Sequence, residues 1–262
     1  MAIRFLLIYI LILLVSGCSN RVHMNVDSVT EHNTRRSYTV ALKILEHSNY
    51  QFYNYKIFLT KQEEDSLKKL NILYSKEYRQ DKIKDFHVMR HQVAYFLSSL
   101  GNSYKISISI ATLIEKYVRA VVYNHTNRSD FILRICTFNP KDNSELYKIP
   151  RWHFDIADTE NQYYKNIITL KGPKTLFVHL QPGYMRKLKK IINNIDYTSS
   201  QSYMSARLQC HRIITACIND KNCIIDNAEN GWATVFKIGN HESIALHSEP
   251  YIFSERLFVS IK

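Results

Sequence analysis

The spacing of hydrophobic residues changes near the middle of the chain. Between residues 37 and 128 they recur three and four apart, as in "DKIKDFHVMRHQVAYFLSSLG" and "SISIATLIEKYVRAVVY", a pattern typical of amphipathic helices. Thr60, followed three residues later by Glu63, predicts a capped helix start. From residue 129 onward, short apolar runs such as "DFILRICTFNP", "GWATVFKIG" and "RLFVSIK" predict strands. We therefore expect an α+β protein with a helical first half and a strand-rich second half.

Helical spacing returns once within the second half. The segments "MRKLKKIINNI" and "MSARLQCHRIITACI" interrupt the strand pattern over residues 184–228. Strand-like runs resume after them. The sequence therefore predicts a helical insertion within the β-rich region of residues 129–262.

The first twenty residues, MAIRFLLIYILILLVSGCSN, have a different character. Arg4 precedes an apolar run over 5–15 that is too short to span a bilayer comfortably, and small residues lead directly to Cys18. This pattern resembles a bacterial lipoprotein signal over residues 1–18, which implies lipidation of Cys18, export and attachment to a membrane. An uncleaved anchor is the alternative. The polar, aperiodic residues 19–36 are interpreted as a tether.

The charge balance is strongly basic. The 262 residues carry 35 Lys and Arg against 23 Asp and Glu, a formal charge of +12 that falls to +11 (12 − 1) when residues 1–17, with Arg4, are removed. Such a charge favours anionic surfaces. The basic residues are scattered, however, and their one cluster, residues 186–190, is interpreted as the solvated face of a helix. No nucleic-acid motif accompanies it, so nucleic acid is not an expected partner.

Four cysteines remain if Cys18 is lipidated, and their spacing matches no zinc site. They are Cys136, Cys210, Cys217 and Cys223. In an oxidising compartment Cys217 and Cys223 could close a small disulfide loop, but the sequence leaves the connectivity open.

The segment "KIPRWHFDIAD" contains the first candidate for chemistry. On a β-strand side chains alternate between faces, so Arg151, His153 and Asp155 would share one face and Trp152 would face the core on the other. An imidazole beside a carboxylate is half of a metal site or half of a buried hydrogen-bonded pair. Both interpretations stay open at this point.

Two residues near the C-terminus could complete such a site. His247 ends one predicted strand, and Arg256 begins the next. An antiparallel hairpin would bring them together. Two neutral imidazoles and one carboxylate on one side of an Fe(II) ion form the facial triad of non-haem oxygenases. The two-pronged guanidinium of Arg256 suits a carboxylate of a bound 2-oxo acid better than a lysine would.

Residues 130–262 resemble the iron(II)- and 2-oxoglutarate-dependent dioxygenase superfamily, and "TLKGPKTLF" and "WATVFKIGNHESIALHSEP" look like the hairpin and late strands of an uncharacterised bacterial branch. The resemblance implies a double-stranded β-helix of the jelly-roll or cupin-like kind, with Fe(II) and 2-oxoglutarate as cofactors. It makes His153, Asp155 and His247 the metal ligands and Arg256 the cosubstrate ligand. Many members place Ser or Thr two residues after the Arg. This sequence has Phe258 there, with Ser260 two residues further on.

The remaining polar residues of this region receive more ordinary interpretations. Arg151 could orient substrate or cosubstrate, or form a structural salt bridge. Glu249 is interpreted as a solvated loop carboxylate, with a hydrogen-bond acceptor behind the metal ligands as the alternative. His179 is interpreted as a core histidine. The segment "HESIALH" is not a zinc-protease helix, because Ala245 stands where the second histidine is needed.

The sequence thus predicts an enzyme that hydroxylates or demethylates an unknown substrate. An exported protein would meet little Fe(II) or 2-oxoglutarate, which leaves three resolutions open. The chain could act elsewhere, such as inside a host cell. It could be a cupin-like enzyme with another metal, or a non-catalytic membrane-anchored lipoprotein that binds a partner. The role of residues 37–128 is likewise open.

Overall fold

A computed structural model describes most of the chain, namely residues 26–123, 131–142, 150–155, 164–196, 198–220, 223–229, 231–239, 244–249 and 253–262. The predicted signal segment and Cys18 lie outside the described residues, so lipidation and export stay predictions. Among the helices that are described, none is long and apolar enough to cross a membrane.

Helices dominate the first part of the chain, as the hydrophobic spacing predicts. They are α1 (Val26–Glu46), α2 (Lys61–Lys69), α3 (Phe86–Ser98) and α4 (Tyr104–Val122). The predicted cap of α2 is confirmed. The Glu63 amide donates to the Thr60 hydroxyl at 3.2 Å, and the Thr60 amide donates to the Glu63 carboxylate at 2.6 Å. This reciprocal pair satisfies two amides that the helix cannot bond internally.

The prediction of a tether over residues 19–36 is wrong for residues 26–36, which form the start of α1. Thr34 and Tyr38 are buried on that helix four residues apart, so one of its faces packs against the body of the protein. The first three turns of α1 carry almost no apolar residues. The hydrophobic spacing therefore gives no sign that the helix starts so early.

The predicted all-helical region also contains two strands, which is a second correction. Strand β1 (Phe52–Lys56) and strand β2 (Lys76–Asp81) each pair with a strand from the second half of the chain. They occupy the two edges of a large sheet. No residue of β2 is fully buried, and its sequence KEYRQD accordingly lacks a hydrophobic alternation.

Eight strands lie in the described residues of the second half of the chain. They are β3 (Ile132–Phe138), β4 (Arg151–His153), β5 (Tyr164–Lys171), β6 (Leu176–Leu180), β7 (Cys223–Asn227), β8 (Trp232–Lys237), β9 (Leu246–Glu249) and β10 (Arg256–Ile261). A large sheet has the order β1-β8-β5-β10-β3-β2, and a small sheet has the order β4-β9-β6-β7. Apart from the step from β6 to β7, the chain changes sheet at every step from β3 to β10. The fold is a double-stranded β-helix.

Apolar side chains form three separate clusters, one on the outer face of each sheet and one between the two sheets. Helices α1 to α4 cover the outer face of the large sheet, where Leu257, Val259 and Ile261 of β10 are buried. The space between the two sheets, called the interior below, contains a smaller cluster that includes Phe177 and Phe236. Because side chains alternate along a strand, Arg256, Phe258 and Ser260 point into this interior.

The predicted helical insertion is present as α5 (Pro182–Asn193) and α6 (Ser200–Asn219), which cover the outer face of the small sheet. Its predicted range of 184–228 is too long, because the last part of it forms strand β7. The four described cysteines are buried free thiols, so the structure contains no disulfide between Cys217 and Cys223.

Candidate metal centre

His153 and His247 are directly opposite each other on two paired strands of the small sheet. They form the register pair His153↔His247 between β4 and β9, and their ring centroids lie 4.2 Å apart. Asp155 follows just beyond the end of β4. His247 Nε2 lies 3.2 Å from Asp155 Oδ2, and His153 Nε2 lies 3.9 Å from Asp155 Oδ1. The structure thus brings together the three metal ligands predicted from the sequence.

The second nitrogen of each imidazole contacts a backbone carbonyl. His153 Nδ1 lies 2.9 Å from the oxygen of Arg151, and His247 Nδ1 lies 3.4 Å from the oxygen of Ala245. A carbonyl can only accept, so the short contact of His153 places its proton on Nδ1 and its lone pair on Nε2, whereas the Nε2 of His247 lies as close to Asp155 as its Nδ1 does to a carbonyl. Two imidazole nitrogens and a carboxylate converge, and all three are donor groups that one cation can share. This donor set fits a divalent metal ion.

His153 and Asp155 are both in the protonation state in which they can bind a metal ion. Burial and the neighbouring His247 hold the pKa of His153 well below its usual value, so this imidazole stays neutral near pH 7. Burial would raise the pKa of Asp155, but His247 and Lys165 outweigh it and hold that pKa well below the usual value. Among the described residues, this is the one group of at least three His, Cys, Asp or Glu side chains that could hold a metal ion, with its ligand atoms within 4.8 Å of one another.

Lys165 is a member of the site that the sequence does not indicate. Its ammonium group, on β5 of the large sheet, donates to Asp155 Oδ2 at 2.7 Å. The lysine and the carboxylate are both largely shielded from solvent. Lys165 lies on a strand of the large sheet, whereas Asp155 directly follows a strand of the small sheet. Lys165 therefore fixes the orientation of the carboxylate across the interior.

We expect Lys165→Met to lower the affinity for Fe(II) or Co(II) by about 10- to 100-fold, because a ligating carboxylate that loses its hydrogen-bond partner loses its orientation. Lys165→Gln retains an N–H donor and is expected to lose less. Calorimetric titration under anaerobic conditions measures both. Lys171→Met is a matched control on the same strand, where Lys171 pairs with Glu255 at 2.7 Å. Equal or tighter metal binding by Lys165→Met would contradict the positioning role.

Arg256 lies on the interior face of β10 and is only 1% exposed. Its Nε donates to the carbonyl of Pro173 at 2.9 Å, and its Nη2 donates to the Thr175 hydroxyl at 2.9 Å. Burial lowers the pKa of this guanidinium to about 10. Within the described part of the chain, no carboxylate lies within ion-pair distance of Arg256. A buried cation without a carboxylate is a candidate site for an anionic ligand.

The predicted hairpin between His247 and Arg256 is wrong. Strand β9 lies in the small sheet and β10 in the large sheet, so the two residues face each other across the interior. The hairpin predicted at "TLKGPKTLF" is also wrong, because the connection from β5 to β6 changes sheet at Gly172. A side chain at Gly172 would place its Cβ 2.1 Å from the backbone oxygen of Glu255. This close approach holds Pro173 and Thr175 against Arg256.

Other polar candidates from the sequence have defined positions in the structure. Arg151 forms an ion pair with Glu249, with Nη2 2.5 Å from Oε1. The interpretation of Glu249 as a solvated loop carboxylate is therefore wrong, since it lies on β9. His179 stacks on Phe52 with ring centroids 4.2 Å apart and is not among the metal ligands. The ring centroid of Phe258 lies 4.7 Å from the guanidinium carbon of Arg256. Many superfamily members have a Ser or Thr hydroxyl at this sequence position.

No protein-family model matches the sequence, and no curated protein is similar to it in sequence. The solved structures that match include a dioxygenase for auxin oxidation from rice (8% identity, TM-score 0.43, 88% of this chain and 77% of that one). They also include a prolyl hydroxylase from Trichoplax adhaerens in complex with a hypoxia-inducible-factor peptide (6% identity, TM-score 0.38, 88% of this chain and 90% of that one). A third is the Kdo hydroxylase, a non-haem Fe(II) α-ketoglutarate-dependent dioxygenase, in complex with cobalt(II) (11% identity, TM-score 0.40, 86% of this chain and 83% of that one).

The chain has a double-stranded β-helix fold, the fold that its resemblance to the dioxygenase superfamily implies. The order of strands β3 to β10 in the two sheets establishes this, since the alignments above have low identity and TM-scores below 0.5. The fold class predicted from the sequence is therefore confirmed, and activity must be argued from the site itself.

Proposed function

We propose that this protein is an Fe(II)- and 2-oxoglutarate-dependent oxygenase that hydroxylates or demethylates its substrate. The observation that carries the proposal is the placement of two complementary groups in one interior. His153, Asp155 and His247 converge there, and Arg256 enters from the opposite sheet without a carboxylate partner among the described residues. A site for a metal ion alone would not need the second group.

Each residue has a defined task in such an enzyme. His153, Asp155 and His247 would hold Fe(II) from one side, and Arg256 would bind the distal carboxylate of 2-oxoglutarate. When bound, Fe(II), 2-oxoglutarate and dioxygen supply oxidative decarboxylation of the cosubstrate coupled to removal of a substrate hydrogen. Phe177 and Phe236 pack against His247 and exclude water from that side of the site.

An anaerobic titration tests this proposal. Fe(II) and then 2-oxoglutarate are added to the full-length chain while its visible absorption is recorded. We expect a charge-transfer band that saturates at one equivalent of each. Binding of Fe(II) without a band on addition of 2-oxoglutarate would contradict the proposal and favour a metalloenzyme with other chemistry.

A further inference from the structure

Two histidines lie side by side on the surface of α3. His87 and His91 are four residues apart, so they project from the same side of the helix. Their Nε2 atoms lie 3.3 Å apart, and their ring centroids lie 4.5 Å apart. The ring centroids of His153 and His247 are separated by a similar 4.2 Å. The surface pair thus has nearly the same spacing as the two imidazoles of the candidate metal centre.

The position of this pair separates it from the candidate metal centre. Helix α3 packs against α4 on the outer face of the large sheet, through buried residues such as Met89 and Val93. The candidate metal centre lies on the other side of that sheet, in the interior. The two pairs of histidines therefore cannot share one metal ion.

The distance between the two Nε2 atoms fits a shared metal ion better than a direct hydrogen bond. Hydrogen bonds from N–H groups to oxygen are usually about 2.7–3.2 Å long, so 3.3 Å lies just beyond that range. Two imidazole nitrogens that bind one zinc ion at about 2.0–2.1 Å, with a tetrahedral angle between them, lie about 3.3–3.4 Å apart. The nitrogens of His87 and His91 already have this separation.

A tyrosine on the next helix contacts one of the two rings. The hydroxyl of Tyr104, the first residue of α4, lies 3.1 Å from Nδ1 of His91. A hydroxyl can accept a hydrogen bond as well as donate one, so it can accept the Nδ1 proton while Nε2 binds a metal ion. Such a partner fixes the orientation of a ligating imidazole. Tyr104 can thus support His91 as the carbonyl of Arg151 supports His153.

The donor atoms of the pair limit the class of metal ion. Imidazole nitrogens suit Zn(II), Ni(II) and Cu(II), and Fe(II) binds such donors more weakly than these three ions. Ca(II) and Mg(II) instead need oxygen ligands. A spacing of four residues on a helix is also that of the two zinc ligands in the motif H-E-x-x-H. Val88 replaces the Glu of that motif, so the pair can bind a metal ion but lacks the base of a protease.

We infer that His87 and His91 form a second metal site, which binds Zn(II), Ni(II) or Cu(II). The two histidines fill two coordination positions of the ion, and water fills the others. This inference does not depend on the proposed oxygenase function, because no residue of the pair lies in the interior.

The test uses Ni(II) as the probe and His153→Ala as the background, because this substitution weakens the candidate metal centre. The full-length chain, without a histidine tag, is freed of metal with a chelator and titrated by calorimetry. We expect His153→Ala to bind one equivalent of Ni(II). In His153→Ala/His91→Gln the affinity should fall by at least about tenfold, since even the loss of a partner behind a ligand costs that much. Tyr104→Phe in the same background keeps both ligands and should cause a smaller loss.

His32→Gln in the His153→Ala background is the matched control. His32 is another exposed histidine on a helix, and its Nδ1 lies 3.1 Å from an arginine, Arg35, instead of a second histidine. Glutamine has a good helix propensity, so neither substitution should disturb its helix. Thermal unfolding gives a second measurement, because an ion that binds the folded chain stabilises it. Ni(II) should raise the melting temperature of His153→Ala more than that of His153→Ala/His91→Gln.

Each outcome decides the inference. A lack of Ni(II) binding by His153→Ala would overturn it, as would equal Ni(II) affinities of His153→Ala and His153→Ala/His91→Gln. An equal loss of affinity in the His32→Gln control would also contradict it, because binding would then not be specific to the pair on α3. The charge-transfer band judges the oxygenase function separately, since His87 and His91 take no part in it.

Discussion

His153→Ala is expected to abolish the charge-transfer band and to lower the affinity for Fe(II) by more than about 100-fold. Loss of a partner behind a ligand costs about 10- to 100-fold in metal affinity, and loss of a ligand itself costs more. His153 is the best ligand to remove, because its imidazole is neutral and its loss leaves no charged side chain without a partner. Replacing Asp155 would instead leave the ammonium of Lys165 without its partner, which would confuse binding with folding.

His179→Ala is the matched control for that experiment. His179 is another histidine of the small sheet, on β6, where it stacks on Phe52 away from the metal ligands. Both variants are measured by the same anaerobic titration, with thermal unfolding as the check on folding. If His153→Ala retained the band, or His179→Ala lost it, the assignment of the metal ligands would be wrong.

Arg256→Met is expected to bind Fe(II) like the wild type and to bind 2-oxoglutarate about 100-fold more weakly. A two-pronged contact between a guanidinium and a carboxylate contributes about 3 kcal/mol, which corresponds to that factor. Arg256→Lys is not expected to restore binding, because an ammonium cannot make the paired contact. The measurement is the dependence of the charge-transfer band on 2-oxoglutarate concentration at saturating Fe(II).

The stability of Arg256→Met separates a ligand-binding role from a structural one. Burial disfavours the charged form of Arg256, so its guanidinium destabilises the metal-free fold at neutral pH. Replacement by an apolar side chain of similar length should leave the melting temperature of the metal-free protein unchanged or higher. A marked fall in the melting temperature, with unchanged affinity for 2-oxoglutarate, would show that Arg256 serves the fold.

The metal ligands can be predicted because their geometry follows from local rules. The alternation expected of a strand predicts that His153 and Asp155 lie together, and they do although Asp155 lies just beyond the end of β4. The resemblance to a known superfamily supplies His247 and Arg256. The spacing cannot show that β9 and β10 belong to different sheets. A hairpin and a crossing between sheets both need only two strands and a short connection, and the choice between them depends on pairing with distant strands.

Residues that act through distant partners are beyond such prediction. Lys165 is one of many lysines in the sequence, and only the packing of the two sheets brings it to Asp155. The sequence favours a loop position for Glu249, whereas its pairing with Arg151 depends on the register between β4 and β9. Strand β2 has no hydrophobic alternation, because an edge strand is held by its backbone and by pairs such as Glu77 with Arg134.

The register pair His153↔His247 has a consequence for folding. A slip of one residue between β4 and β9 would turn one or both imidazoles toward the insertion helices and place apolar side chains in the interior. A metal ion can therefore bind in only one alignment of these strands. Metal binding would therefore stabilise that alignment over the others. The ion would favour the correct register of the small sheet during folding, before any reaction takes place.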